Sequence, residues 1–162
     1  MKSDAKLAHN LIVEDLANAG SWHWNVATGQ VRWSPGLYRI FGLEEGAEAP
    51  SYQRYIEYVH PDDRDRVSEQ IQNTAATGRP FHHNVRIVRA DGAVRTLETA
   101  CSVEADAAGE TIALVGACVD VTEQERARRV LHRRESELRL AAMEHAPQRA
   151  WAPGDGGFRP AR

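Results

Sequence analysis

The stretch VHPDDRDRV, Val59 to Val67, brings a histidine and two carboxylates within four positions. His60, Asp62 and Asp63 are residue types that ligate a divalent metal or exchange protons near neutral pH. A metal would need its ligands to converge from one side, whereas successive helical side chains point about 100° apart, and no second His/Asp cluster stands at ligand spacing. The alternative asks nothing more of the chain. Pro61 suits the first helical position, His60 becomes the cap, and Asp62 and Asp63 meet the positive end of the helix. A helix start accounts for all four residues, so no metal is expected. A metal-dependent enzyme using His60, Asp62 and Asp63 is the competing reading.

The other reactive side chains carry less. His82 and His83 are neighbours on a strand-like run and so face opposite ways. His83 shares the face of Phe81 and Val85. Cys101 and Cys118 lack C-x-x-C spacing and sit in apolar runs, as reduced core thiols do in a cytoplasmic protein. His132, in VLHRRESE, reads as a solvated helical histidine. Three of the four tryptophans, Trp22, Trp24 and Trp33, crowd one hairpin. Each buries ~150–250 Å², so any cavity they line should be small.

Composition bounds the function classes. A 162-residue chain with a formal net charge of −3 offers no cationic field for nucleic acid. Its longest apolar run, IALVGACV, is far short of the ~20 residues of a membrane span.

The elements that would position these residues follow from periodicity. Leu7, Leu11, Ile12 and Leu16 recur at helical spacing, giving an amphipathic N-terminal helix over 1–19 closed by Gly20. SWHWNVATGQVRW alternates as a hairpin; an even loop at TG or ATGQ would set Val26 opposite Val31 and Trp24 opposite Trp33. Ser34-Pro35 starts a short helix ending at Gly42, SYQRYIEYV a second, and Pro61 to Ala76 a third. FHHNVRIVRADGAVRTLETACSV folds back through a three-residue loop, Ala90 to Gly92, which aligns Phe81, Val85 and Ile87 with Leu97, Cys101 and Val103. TIALVGACVDV is apolar at both parities, as a central strand covered on both sides would be. Thr122 and Glu125 have capping-box spacing, and the helix they start can run to about residue 146. The Gly/Pro-rich tail, 147–162, reads as disordered.

In that order, GSWHWN, RWSPGLYRIFGL, VHPDDRDRV, VRIVRADGAVR and LVGACVDVTEQE make residues 20–121, with the first turn beyond, resemble a PAS domain of the subgroup carrying HPDD. The resemblance implies an α+β fold: a five-stranded antiparallel sheet in the order 2-1-5-4-3, short helices on one face, and helices flanking both ends. It also implies a sensory or dimerisation module of a bacterial-type signal-transduction protein, as in sensor kinases and cyclases, without an enzymatic activity of its own. Trp22, Trp24, Trp33, Phe41, His83, Val85, Leu97, Leu114 and Cys118 are then candidates to line a ligand cavity, and Asp120 and Thr122 to couple the sheet to the exit helix, 122–146. Haem-binding relatives take their axial histidine from the helix that here runs from Pro61 to Ala76, which has none. Flavin photosensors of this kind carry N-C-R-F-L where this chain has SYQRYIEYV. No cofactor is expected; a flavin or other chromophore is the alternative.

A homodimer is expected, because Ala113, Val115, Ala117 and Val119 need a cover that one amphipathic helix hardly supplies. An effector domain or partner signalling protein and a small-molecule ligand are the other expected partners. The sequence holds no effector domain, and ESELRLAAMEHAP resembles the leading helix of a second such module.

Overall fold

The computed structural model describes residues 12–144. Leu7 and Leu11 of the N-terminal helix, and the tail expected to be disordered, lie outside the described residues.

Residues 12–16 are helical. Asn18, left-handed at φ 49°, turns the chain into β1 (Ala19–Asn25), followed by β2 (Val31–Trp33), α1 (Pro35–Phe41) and α2 (Tyr52–Tyr58). A 3-10 turn (Pro61–Asp63) leads into α3 (Arg64–Thr77), then come β3 (Phe81–Val88), β4 (Val94–Ala105), β5 (Thr111–Asp120) and α4 (Thr122–Glu144). The strands form one antiparallel sheet in the order β2-β1-β5-β4-β3, the architecture and order expected from the sequence.

Local chemistry sets the element ends. Ser34 and Ser51 cap α1 and α2 by accepting from Leu37 N and Arg54 N, and Gly42, at φ 75°, closes α1. The β3–β4 connection is the expected three-residue loop: Arg89 pairs with Ala93, and Gly92 is left-handed at φ 84°. Phe81 therefore stands opposite Cys101 and Val85 opposite Leu97.

The first hairpin differs from expectation by two residues. Its loop has the even length expected, but Trp22 stands opposite Trp33 and Trp24 opposite Val31. The reason lies in Asn25. Its side chain accepts from Thr28 N (2.9 Å) and its carbonyl from Gly29 N (2.9 Å), so the turn closes one residue earlier on its first strand. Val26 is thereby freed to donate to Ile112 O of β5.

The core lies between the sheet and α1–α3. Leu37, Phe41, Val67 and Ile71 from the helical side meet Val85, Leu97, Leu114 and Cys118 from the strands. Two glycines permit the close approach. A Cβ on Gly20 would collide with the Leu37 backbone of α1, and one on Gly116 with the Trp22 ring that lies across it. The opposite face of the sheet is open among the described residues: Ala100 and Ala117 are exposed and Val115 and Val119 only half-buried. Ala113 of the same face is buried, and most of the N-terminal helix expected to cover that side of β5 lies outside the described residues.

Residues 12–16 do not lie apolar side down on that open face. Glu14 accepts from Ser21 Oγ (2.9 Å) and Gly36 N (3.3 Å), Asp15 pairs with Arg39 (3.3 Å), and Leu16 is 85% exposed. Chain up to Arg126, including the first residues of α4, forms one compact unit, and Ala127 onward a second.

Candidate functional site

A cavity of about 40 Å³ opens between the first hairpin and α2. Its wall is aromatic: Trp22, Trp24 and Trp33 from the hairpin, Tyr52 and Tyr55 from α2, and Phe81 from β3. Val31, Leu37 and Ile71 complete the apolar lining, and Ser51, Thr99 and Cys118 bring the remaining polar atoms. Trp24 stacks on Tyr52 with ring centroids 5.3 Å apart.

Of the nine residues nominated from the sequence, Trp22, Trp24, Trp33 and Cys118 line this space. Phe41, Val85, Leu97 and Leu114 lie in the packed core behind it, Phe41 stacked under Trp33 at 5.0 Å. His83 also stands off the lining; its ring stacks on Phe81 at 4.7 Å and its Nε2 is buried without a hydrogen-bond partner. Burial, helped by the nearby Arg66 and His82 charges, pushes its pKa down, so the ring is neutral at ordinary pH. Sequence reasoning missed Tyr52 and Tyr55. The signal was there in their i, i+3 spacing on a capped helix, which puts both rings on one face.

The Cys118 thiol accepts from the Thr99 hydroxyl (3.4 Å). Burial pushes its pKa up to about 11, although the Thr99 and Trp22 donors pull the other way. Burial likewise holds Cys101 at about 11, and neither sulfur is a nucleophile at neutral pH.

The HPDD stretch is a start signal, with one change in assignment. His60 Nδ1 accepts from Asp62 N (3.3 Å) and Pro61 begins the 3-10 turn, as expected. Asp63, expected to serve the helix end, makes no side-chain cap to α3. It reaches across to β3 and accepts from Arg86 N (3.0 Å), Nε (3.1 Å) and Nη2 (2.7 Å). His60 N donates to Arg86 O, and Val59 bridges Ile87. The segment behaves as a short extra rung along the edge of β3. Donation from Arg86 holds the Asp63 carboxyl at about 2, against the cost of its partial burial. Among the described residues no group of three His, Cys, Asp or Glu side chains converges for a metal.

At the far end of β5, Asp120 is 5% exposed and joins three elements. It accepts from Thr122 N (3.0 Å) and Thr122 Oγ1 (2.5 Å) and from Arg95 Nε of β4 (2.7 Å). Burial alone would raise its pKa, but the Thr122 donors and Arg95 outweigh it and the carboxyl lies below its ordinary value. Thr122 Oγ1 in turn accepts from Thr96 N (2.9 Å). The capping box expected from Thr122 and Glu125 therefore does not form, since the threonine hydroxyl is spent on the sheet and Asp120 caps the helix instead. Asn18 O accepts from Asp120 N, which ties the leading segment to the end of β5 two residues before the exit helix.

The chain is 34% identical over 115 residues to a blue-light-activated histidine kinase of Brucella anthropi, covering 71% of this chain and 23% of that protein. It is 27% identical over 120 residues to sensor protein FixL of Bradyrhizobium diazoefficiens, covering 74% and 24%. It thus spans less than a quarter of the length of these curated relatives. Among solved structures, a sensory box histidine kinase/response regulator from Burkholderia thailandensis superposes with a TM-score of 0.65 at 29% identity, covering 80% of this chain and 96% of that one. Residues 30–118, more than half of the sequence, match the family model described as the PAS fold, and the strand order and the helices on one face agree with it: the chain belongs to the PAS family of signalling sensor modules.

Proposed function

We propose that this chain is the sensory module of a bacterial-type signal-transduction protein, of the subgroup marked by His60-Pro61-Asp62-Asp63. It works in the cytoplasm, performs no chemistry itself, and relays the state of a small ligand through Asp120 and Thr122 into α4 and onward to an effector domain or partner signalling protein. One observation carries this reading: β5 runs from the cavity wall at Cys118 to Asp120, which holds the first turn of α4. The two free buried thiols support a reducing compartment. The commitment of Asp63 to Arg86 supports a structural role for HPDD over a catalytic one.

The cavity holds no chromophore in this reading. A fused-ring chromophore needs a pocket of several hundred Å³, which the 40 Å³ between these rings could reach only by parting the strands as well as moving α2, and α2 carries no cysteine. Protein purified from its source is expected to absorb only in the aromatic ultraviolet band. A retained visible band would overturn this part of the proposal and favour the chromophore suggested by the name of the blue-light-activated relative.

The partner of the module is a second copy. Ile12 and Leu16 are 59% and 85% exposed, and the open sheet face presents Ala100 and Ala117. Leu131 and Leu138 on α4 are seven apart, but Arg134 and Ala141 fill the intervening seam, so that helix dimerises weakly alone. Truncation after Arg126 is expected to leave a dimer by sedimentation. Deleting residues 1–18, or replacing Ile12 and Leu16 together by Ser, is expected to weaken it tenfold or more. A monomeric parent, or a dimer lost only with α4, would show the interface to lie elsewhere.

A further inference from the structure

We propose that the cavity takes an uncharged, flat, single-ring aromatic compound bearing an acceptor for a hydrogen bond from Tyr52 Oη. This rests on the ligand-holding reading above and narrows it to a chemical class.

Charge is excluded first. No ionised side chain lines the space, and a charge buried there without a partner would meet the full cost of leaving water. The flat ring follows from the wall. Six aromatic rings present faces and edges that gain most from another ring in offset or edge contact. Size follows from the volume. At about 40 Å³ the space holds only a few waters, so even one ring enters only if Tyr52 moves off Trp24. Tyr52 is the first residue of a seven-residue helix and can yield with the loop before it, whereas the tryptophans stand on paired strands. A second fused ring would need the sheet itself to open.

The polar requirement comes from a single atom. Of the four lining hydroxyls, Thr99 donates to Cys118 Sγ and Ser51 accepts from Arg54 N, and of the two tyrosines, Tyr52 and Tyr55, only Tyr52 has an Oη that is both fully buried and without a partner. A buried hydroxyl without a partner is destabilising, and its retention is explained by a ligand that satisfies it. Tyr52 thus serves at once as the movable wall and as the hydrogen-bond donor.

The test uses the full chain and four probes of nearly one size: phenol, toluene, benzoate and benzylammonium. Indole N–H resonances are followed by NMR during titration. Phenol is expected to shift the signals of Trp22, Trp24 and Trp33 saturably, with toluene about three- to tenfold weaker, the worth of one neutral hydrogen bond, and both charged rings inert. In Tyr52→Phe, phenol should fall to the affinity of toluene, toluene should be unchanged, and the melting temperature should stay level or rise. A purely structural tyrosine would instead lower the melting temperature and move no probe relative to another. Equal binding of phenol and toluene in the parent chain, or binding of either charged ring, would overturn the ligand class while leaving the cavity reading standing. Absence of a saturable shift from every probe would overturn both.

Discussion

Asp63→Ala is expected to lower stability by roughly 2–3 kcal/mol, the cost of removing a largely buried carboxylate that accepts three hydrogen bonds and leaving the strand amide of Arg86 unpaired, while the Arg86 guanidinium, 43% exposed, can turn to water. Loss of a helix cap alone would cost only ~0.5–2 kcal/mol, so urea unfolding separates the two roles. The larger figure follows from what Asp63 holds. Its carboxylate satisfies a strand amide, Arg86 N, and two guanidinium nitrogens, tying the start of α3 to the edge of β3. The same contact fixes a pH dependence. The folded-state pKa of about 2 lies below the ordinary 3.8, so the stabilisation is complete above the ordinary value and is lost as pH falls from about 4 through 2. In Asp63→Ala that acid-dependent fraction should vanish. Adding Arg86→Gln to the Asp63→Ala background should cost little more than Asp63→Ala alone. Additive losses would show that Arg86 and Asp63 act separately.

The second large effect is expected at Asp120. Asp120→Ala removes the acceptor of Thr122 N and Oγ1 and the nearer of two carboxylate partners of Arg95, leaving that 21%-exposed side chain with Glu123 at 3.4 Å. A loss of roughly 2–4 kcal/mol follows for removing a buried carboxylate with three hydrogen bonds while Glu123 still holds Arg95. The consequence for function is local. With its cap gone, the first turn of α4 loses its tie to the sheet, and Thr96 N keeps an acceptor only while Thr122 stays in place. Hydrogen exchange should quicken at the Thr96 and Thr122 amides well beyond the change at Leu37, whose cap is made by Ser34. Uniform quickening across the domain would mean that Asp120 supports global stability without any special hold on α4. The sign of its acid response matches that of Asp63: its carboxyl sits below the ordinary value in the folded state, so its contribution too is present above that value and lost as pH falls.

Both predictions turn on partners far apart in sequence, and this divides what could be read from residues alone from what could not. Elements governed by near neighbours were legible. Ser34-Pro35 and Ser51 cap through amides three residues on, and Gly92 is left-handed because its own three-residue loop requires it. HPDD begins a helix because His60 and Pro61 act within one turn. The strand order was legible by a different route, as the family resemblance of five ordered stretches, with the apolar run of β5 in agreement.

Tertiary structure decided wherever one group had several local options of similar energy. Asp63 could have stayed on its helix end; the bridge of Val59 to Ile87 and the bond from His60 N to Arg86 O carried it to within reach of Arg86, 23 residues on. Thr122 could have shared a box with Glu125, but the register of β4 on β5 places Thr96 N and Asp120 beside its hydroxyl first. In the first hairpin, two even registers satisfy the same alternation, and only the Asn25 turn and the Val26 bond to Ile112 choose between them. The cavity is the extreme case. Its wall needs Trp22 laid over Gly116, Trp24 against Tyr52 and Phe81 from a distant strand. Periodicity assigns a side chain to a face, but which faces close on one another is set by sheet register and helix docking together, and a periodic pattern is unchanged by a shift of two residues.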